Sequence, residues 1–171
     1  MAKRKLTKKT VLCGAILVLL FSLRGKEMMG MNQKKEIQEI RDLFPRGGKN
    51  DAFARYFTGQ SYLNILTREG VLTANVTFEP RCRNNWHVHH ATRGGGQILL
   101  CTEGRGWYQE WGKPARELHP GDAVSIPAGV KHWHGAAKDS WFAHIAVEVP
   151  GENAAAEWLE PVSDEDYDKL K

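Results

Sequence analysis

The chain has 171 residues, enough for one domain with a sizeable core, and at 42% hydrophobic and 26% charged it has the composition of a globular protein. Its formal net charge of +4 resides in the first thirty residues, which hold seven Lys or Arg against one Glu. Residues 31–171 are left with 17 basic and 19 acidic side chains, so no nucleic-acid partner is expected. Cys13, Cys82 and Cys101 are odd in number and follow no metal-finger spacing, which argues against a disulfide framework and for a reducing compartment.

Residues 1–30 read as a leader outside the fold. Lys3-Arg4-Lys5 and Lys8-Lys9 precede an apolar run from Val11 to Leu23, which has the length of a signal h-region and is short for a spanning helix. No small-x-small cleavage site follows. Lys26-Glu27 can be encoded by a purine-rich, ribosome-binding-like run, and Met28, Met29 and Met31 come directly after it. Two readings therefore stand side by side. Translation from Met31 gives a cytoplasmic protein; a retained leader gives a secreted or membrane-anchored one.

From Met31 onward, Ile37, Ile40 and Leu43 recur at helical spacing, predicting a short helix over Gln33–Leu43 ended by Pro45 and Gly47-Gly48. This helix and an edge segment occupy 31–70. After Gly70 the period changes to two, with Leu72, Ala74, Val76 and Phe78 alternating against Val71, Thr73, Asn75 and Thr77. Further strands are predicted over Trp86–His90, Gln97–Cys101, Gly106–Trp111, Ala115–Leu118, Ala123–Ile126, Lys131–Ala136 and Trp141–Val149. Turn residues such as Pro120-Gly121-Asp122 and Pro127-Ala128-Gly129 separate them. Many short strands at regular spacing predict an all-β sandwich or barrel over 71–162, with a tail over 163–171 whose Ser163 caps a last helical turn through Asp166.

Two histidine pairs stand out in this β context. His87 and His89 are two apart on a strand and present both imidazoles to one face; His132 and His134 do the same, with Trp133 pointing away. Two such strands facing each other across a narrow barrel would assemble a metal site, since neutral imidazole is the commonest protein ligand for first-row divalent metals. His90 falls on the opposite face. Gly94-Gly95-Gly96 lets the chain turn and re-enter at Gln97.

These residues resemble the cupins, small jelly-roll β-barrels. His87-x-His89, then Gln97, six residues and Gly104 follow the end of the family's first motif; Gly121, Pro127-x-Gly129 and His132 follow the second position for position. Three departures are a missing leading Gly, Gln97 in place of the usual acid after a loop of seven residues, and Ala136 in place of the final Asn. The pattern is most similar to a subgroup of one-domain bacterial cupins that includes manganese-dependent hydroxynitrile lyases and cupins grouped with carboxymuconolactone decarboxylases. The shared features are Gln97, Lys131-His132-Trp133-His134-Gly135 and Glu157-Trp158.

That resemblance implies His87, His89, Gln97 and His132 as metal ligands, Mn(II) first and Fe(II) next, and a homodimer. It also aims His144 and Glu148 into the cavity. A neutral amide in place of a carboxylate leaves the metal its full charge and makes it a stronger Lewis acid. His134 and His144 are then the candidate general bases, with Glu148 expected to orient His144. The implied activity is Lewis-acid lyase or decarboxylase-like chemistry on a small hydroxylated or carbonyl compound. An Fe(II) dioxygenase and a non-catalytic ligand-binding cupin are the alternatives. Cys82, between Arg81 and Arg83, is a candidate for a lowered thiol pKa.

Overall fold

Period-two alternation produces strands very nearly where the sequence predicts them in the computed structural model, which describes residues 36–171; the leader lies outside the described residues. In chain order the strands of three or more residues are β1 (Ser61–Thr67), β2 (Thr73–Phe78), β3 (His87–His90), β4 (Gly96–Gly104), β5 (Gly106–Glu110), β6 (Arg116–Leu118), β7 (Ala123–Pro127), β8 (His132–Ala136), β9 (Phe142–Glu148) and β10 (Ala155–Trp158). They form two antiparallel sheets. The first runs β1-β2-β9-β4-β7, with Gly48–Lys49 added beside β1; the second runs β6-β5-β8 and continues through Arg83–Asn84 to Phe57–Thr58, with β3 joining β8 to β10.

One buried cluster takes side chains from both sheets, among them Val76, Phe78, Leu99 and Phe142 from the first and Tyr108 and Ala136 from the second. Burial of such apolar surface is the main favourable term in folding. The opposite face of β8 carries Trp133, which joins Trp86, Val162 and Tyr167 in a separate buried cluster. The C-terminal turn Asp164–Tyr167 is capped as predicted, the Asp166 N–H donating to Ser163 Oγ at 3.1 Å. Tyr167 locks it down by donating its hydroxyl to the Ala136 carbonyl at 2.7 Å.

Two expectations are corrected. No helix forms over the described part of Gln33–Leu43. There the Asp42 carboxylate accepts from Thr77 Oγ1 at 2.7 Å, and Asn75 Nδ2 donates to the Phe44 and Pro45 carbonyls at 3.3 and 3.2 Å. Arg46 pairs with Asp42 and Glu39 and lies over the Trp141 ring at 4.7 Å. The segment thus supplies partners to buried polar groups of β2, and this tertiary demand outweighs the modest preference of a short isolated helix. The sheets also begin earlier than residue 71, because β1 and Gly48–Lys49 are hydrogen-bonded members of the first sheet.

Among the described residues no helix is long and apolar enough to cross a membrane.

The turn into β4 depends on Gly96, whose φ is +97° and where an added Cβ would run into the Ile126 carbonyl oxygen. Gly96→Ala therefore combines backbone strain with a backbone clash and is expected to lower the unfolding free energy by about 2 kcal/mol or more, read by urea denaturation.

Candidate metal centre

The two histidine pairs meet as neighbours in one sheet, not across the barrel. β3 and β8 are hydrogen-bonded antiparallel strands with His132 directly opposite His87, and the two ring centroids are 4.1 Å apart. Period-two alternation sends His89 and His134 to the same inner face, with centroids 5.6 Å from His132 and His87 respectively. His90 points out and pairs with Glu157 at 2.7 Å. His87, His132 and His134 each offer a ring nitrogen within 4.8 Å of the others.

Hydrogen bonds to the far nitrogens fix which atoms face inward. His87 Nδ1–H donates to the Asn85 carbonyl and His132 Nδ1–H to the Val130 carbonyl, both at 2.9 Å. A carbonyl can only accept, so Nε2 of each ring carries the lone pair. His89 places Nδ1 3.1 Å from Glu148 Oε2, while Gln97 Nε2 donates to Glu148 Oε1 at 2.6 Å. One carboxylate therefore turns both His89 Nε2 and Gln97 Oε1 inward.

His89 Nε2, His132 Nε2 and Gln97 Oε1 are buried with no protein partner. Leaving a buried acceptor unsatisfied costs about 1–3 kcal/mol. Three such acceptors near His87 form a nitrogen-and-oxygen donor set that suits a divalent cation. Glu148, expected behind His144, instead serves these two groups. Its carboxyl lies below the usual range: burial pushes it up, but the bonds from His89 and Gln97 outweigh that.

Behind this cluster His134 and His144 form a second pair, with His144 Nε2 3.2 Å from His134 Nδ1. Asn84 clamps His134, its Oδ1 accepting the His134 backbone N–H at 2.9 Å and its Nδ2 lying 3.0 Å from Nε2. Burial holds His134 well below the ordinary imidazole pKa, with the neighbouring His144 adding to the effect, and burial lowers His144 to about 4. Burial likewise lowers His132 to about 4 and, helped by His132, places His87 well below 6.5. All four are neutral near pH 7, the form in which an imidazole can bind a metal or accept a proton. The two described cysteines behave differently: burial raises Cys82 and Cys101 to about 12, which overturns the expectation of a lowered thiol at Cys82.

The centre opens into a cavity of about 640 Å³ that His144 and Glu148 line as expected, together with apolar side chains including Phe57, Leu63, Ile65 and Val76. Trp158 of β10 closes one wall by stacking on the His87 ring, centroids 4.7 Å apart and planes 28° from parallel. Sequence reasoning missed Asn84 and Phe57, which reach the site from the short Arg83–Asn84 and Phe57–Thr58 pairings. Two-residue strands carry no periodicity that could have signalled them.

Comparison with known proteins agrees with this architecture. The cupin domain model matches residues 74–147. The chain is 41% identical over 118 residues to an (R)-mandelonitrile lyase of Granulicella tundricola, a match covering 67% of this chain and 87% of that protein. It is also 41% identical to a cupin-like protein of Thermotoga maritima of known structure, with a TM-score of 0.67 over 77% of this chain and 98% of that one. A DMSP lyase of Ruegeria pomeroyi shares the fold at 19% identity, with a TM-score of 0.50 over 71% of this chain and 61% of its own. The chain belongs to the cupin family.

The depressed histidines set a pH dependence. The unfolded chain takes up protons below about 6.5 that folded His132 and His144 refuse until about 4, so stability is full above the upper value and falls between the two. Thermal melts of the metal-free protein should show Tm dropping across that window, at up to about 1.4 kcal/mol per pH unit for each histidine still neutral in the folded state. A flat profile would contradict the buried, neutral assignment.

Proposed function

We propose that this cupin is a divalent-metal lyase that cleaves the carbon–carbon bond beside a hydroxyl group, with an aromatic cyanohydrin as the substrate class. The observation that carries the reading is the convergence of unpartnered, buried His89 Nε2, His132 Nε2 and Gln97 Oε1 beside His87, with His87, His89 and Gln97 lining a largely apolar cavity. These four side chains hold the metal, with Mn(II) preferred and Fe(II) next. Kinship with an (R)-mandelonitrile lyase suggests the reaction, since a benzylic ring fits a cavity walled by Phe57, Ile65 and Trp158.

When bound, the metal supplies positive charge that lowers the proton affinity of the substrate oxygen. Gln97, being neutral, leaves that charge undiminished. His134 takes the hydroxyl proton and His144, 3.2 Å behind it, shares the resulting charge. The oxygen's electron pair forms the carbonyl double bond, the bond to the nitrile carbon breaks, and cyanide departs with the two electrons of that broken bond. The imidazole returns its proton to give hydrogen cyanide and the aldehyde. Asn84 keeps His134 in register throughout.

The His87–His132–His134 cluster offers a competing ligand set, and metal analysis of variants separates the two. His87→Ala, His89→Ala and His132→Ala should each lose most of the metal, whereas His134→Ala should retain it near stoichiometry while slowing cyanohydrin cleavage by about 10²–10⁴-fold. Metal lost from His134→Ala but kept in His89→Ala would reverse the assignment. Oxygen consumption by the Fe(II) form with no cleavage by the Mn(II) form would replace the lyase reading with an oxygenase.

A further inference from the structure

We infer that Gln97 and Glu148 form an interlocked pair in which Glu148 is the positioning residue that requires an amide at 97. This rests on the metal-site reading above and concerns how that site is held together.

The two residues are direct cross-strand partners, Glu148 of β9 opposite Gln97 of β4. Side chains so placed lie in direct reach of one another, and like charges there are destabilising. The two oxygens of Glu148 are both committed as acceptors, Oε1 to Gln97 Nε2 at 2.6 Å and Oε2 to His89 Nδ1 at 3.1 Å. His89 belongs to the second sheet, so this carboxylate also ties the two sheets together at the site. Each bond consumes the donor end of its partner and leaves the acceptor end, Gln97 Oε1 or His89 Nε2, buried and unpartnered.

The donor–acceptor pattern admits few substitutions. A glutamate at 97 would set two carboxylates side by side at hydrogen-bond distance, driving both out of position. A glutamine at 148 has one acceptor and one amide donor, so its NH₂ must oppose either the Gln97 amide or the His89 N–H. Exchanging both residues restores every contact. The amide then at position 148 accepts from His89 through its oxygen and donates its NH₂ to the carboxylate then at position 97, whose second oxygen faces the metal.

The test is a double-mutant cycle on metal affinity, read by calorimetric titration of the metal-free full chain with Mn(II) at neutral pH. E148Q and Q97E should each weaken binding by about 10–100-fold, the range for losing a group that orients a ligand. The E148Q/Q97E exchange should return to within about threefold of the unmodified chain, far from the product of the two losses. An exchanged variant as weak as that product would overturn the interlock. Should Q97E fail to fold by circular dichroism, E148A and E148Q decide alone: binding within about twofold of the unmodified chain in both would overturn it. An unmodified chain that takes up no Mn(II) would overturn the metal reading beneath the interlock. Additivity in a chain that does bind Mn(II) would remove the interlock and leave that reading standing.

Discussion

The site depends on the pairing register of β3 and β8. With His132 directly opposite His87, side-chain alternation alone sends His89 and His134 inward and Val88 and Trp133 away. A slip of one residue would exchange the faces and place Trp133 in the cavity. Several features hold the register against that slip. Trp133 is fully buried with Trp86 and Tyr167 on the far side, its indole N–H donates to Gln109 Oε1 at 2.8 Å, and β10 pairs along the other edge of β3 with Trp158 opposite His87. The packing that stabilises the second sheet is thus the same packing that aims the imidazoles.

Burial and hydrogen bonding then set the protonation and orientation of those imidazoles. Desolvation keeps them neutral, while backbone carbonyls two residues upstream, those of Asn85 and Val130, select the tautomer with Nε2 free. The carbonyls belong to the strand entries themselves, so backbone geometry fixes ring orientation at His87 and His132. His89 has no such carbonyl and relies on Glu148. This divides the centre into a half set by backbone and a half set by one carboxylate, which also holds Gln97.

Much of this was legible in the sequence. Strand positions from residue 72 onward followed from period two, and the spacing of Gly121, Pro127, Gly129 and His132 carried the family. Of the candidate ligands, His87, His89 and His132 share the inner face of the second sheet with His134, and Gln97 meets them from the first sheet, which also carries His144. Three kinds of feature were not legible. The segment before Pro45 has helical spacing, yet its conformation is decided by what Asn75 and Thr77 require across the sheet. Asn84 and Phe57 act from strands too short to show a period. The partner of Glu148 could not be read from its strand, because alternation places His144 and Glu148 on one face without saying that His89 reaches over from the other sheet.

The central claim is that His87, His89, Gln97 and His132 bind one divalent metal while His134 stays free to carry a proton. Anomalous diffraction at the manganese absorption edge, from crystals of the Mn(II)-loaded protein, tests it most directly. The account predicts a single strong peak within bonding distance of the three Nε2 atoms and Gln97 Oε1, with His134 outside the coordination sphere. A peak bound by His134 with Gln97 turned away, or no peak among these histidines, would contradict it.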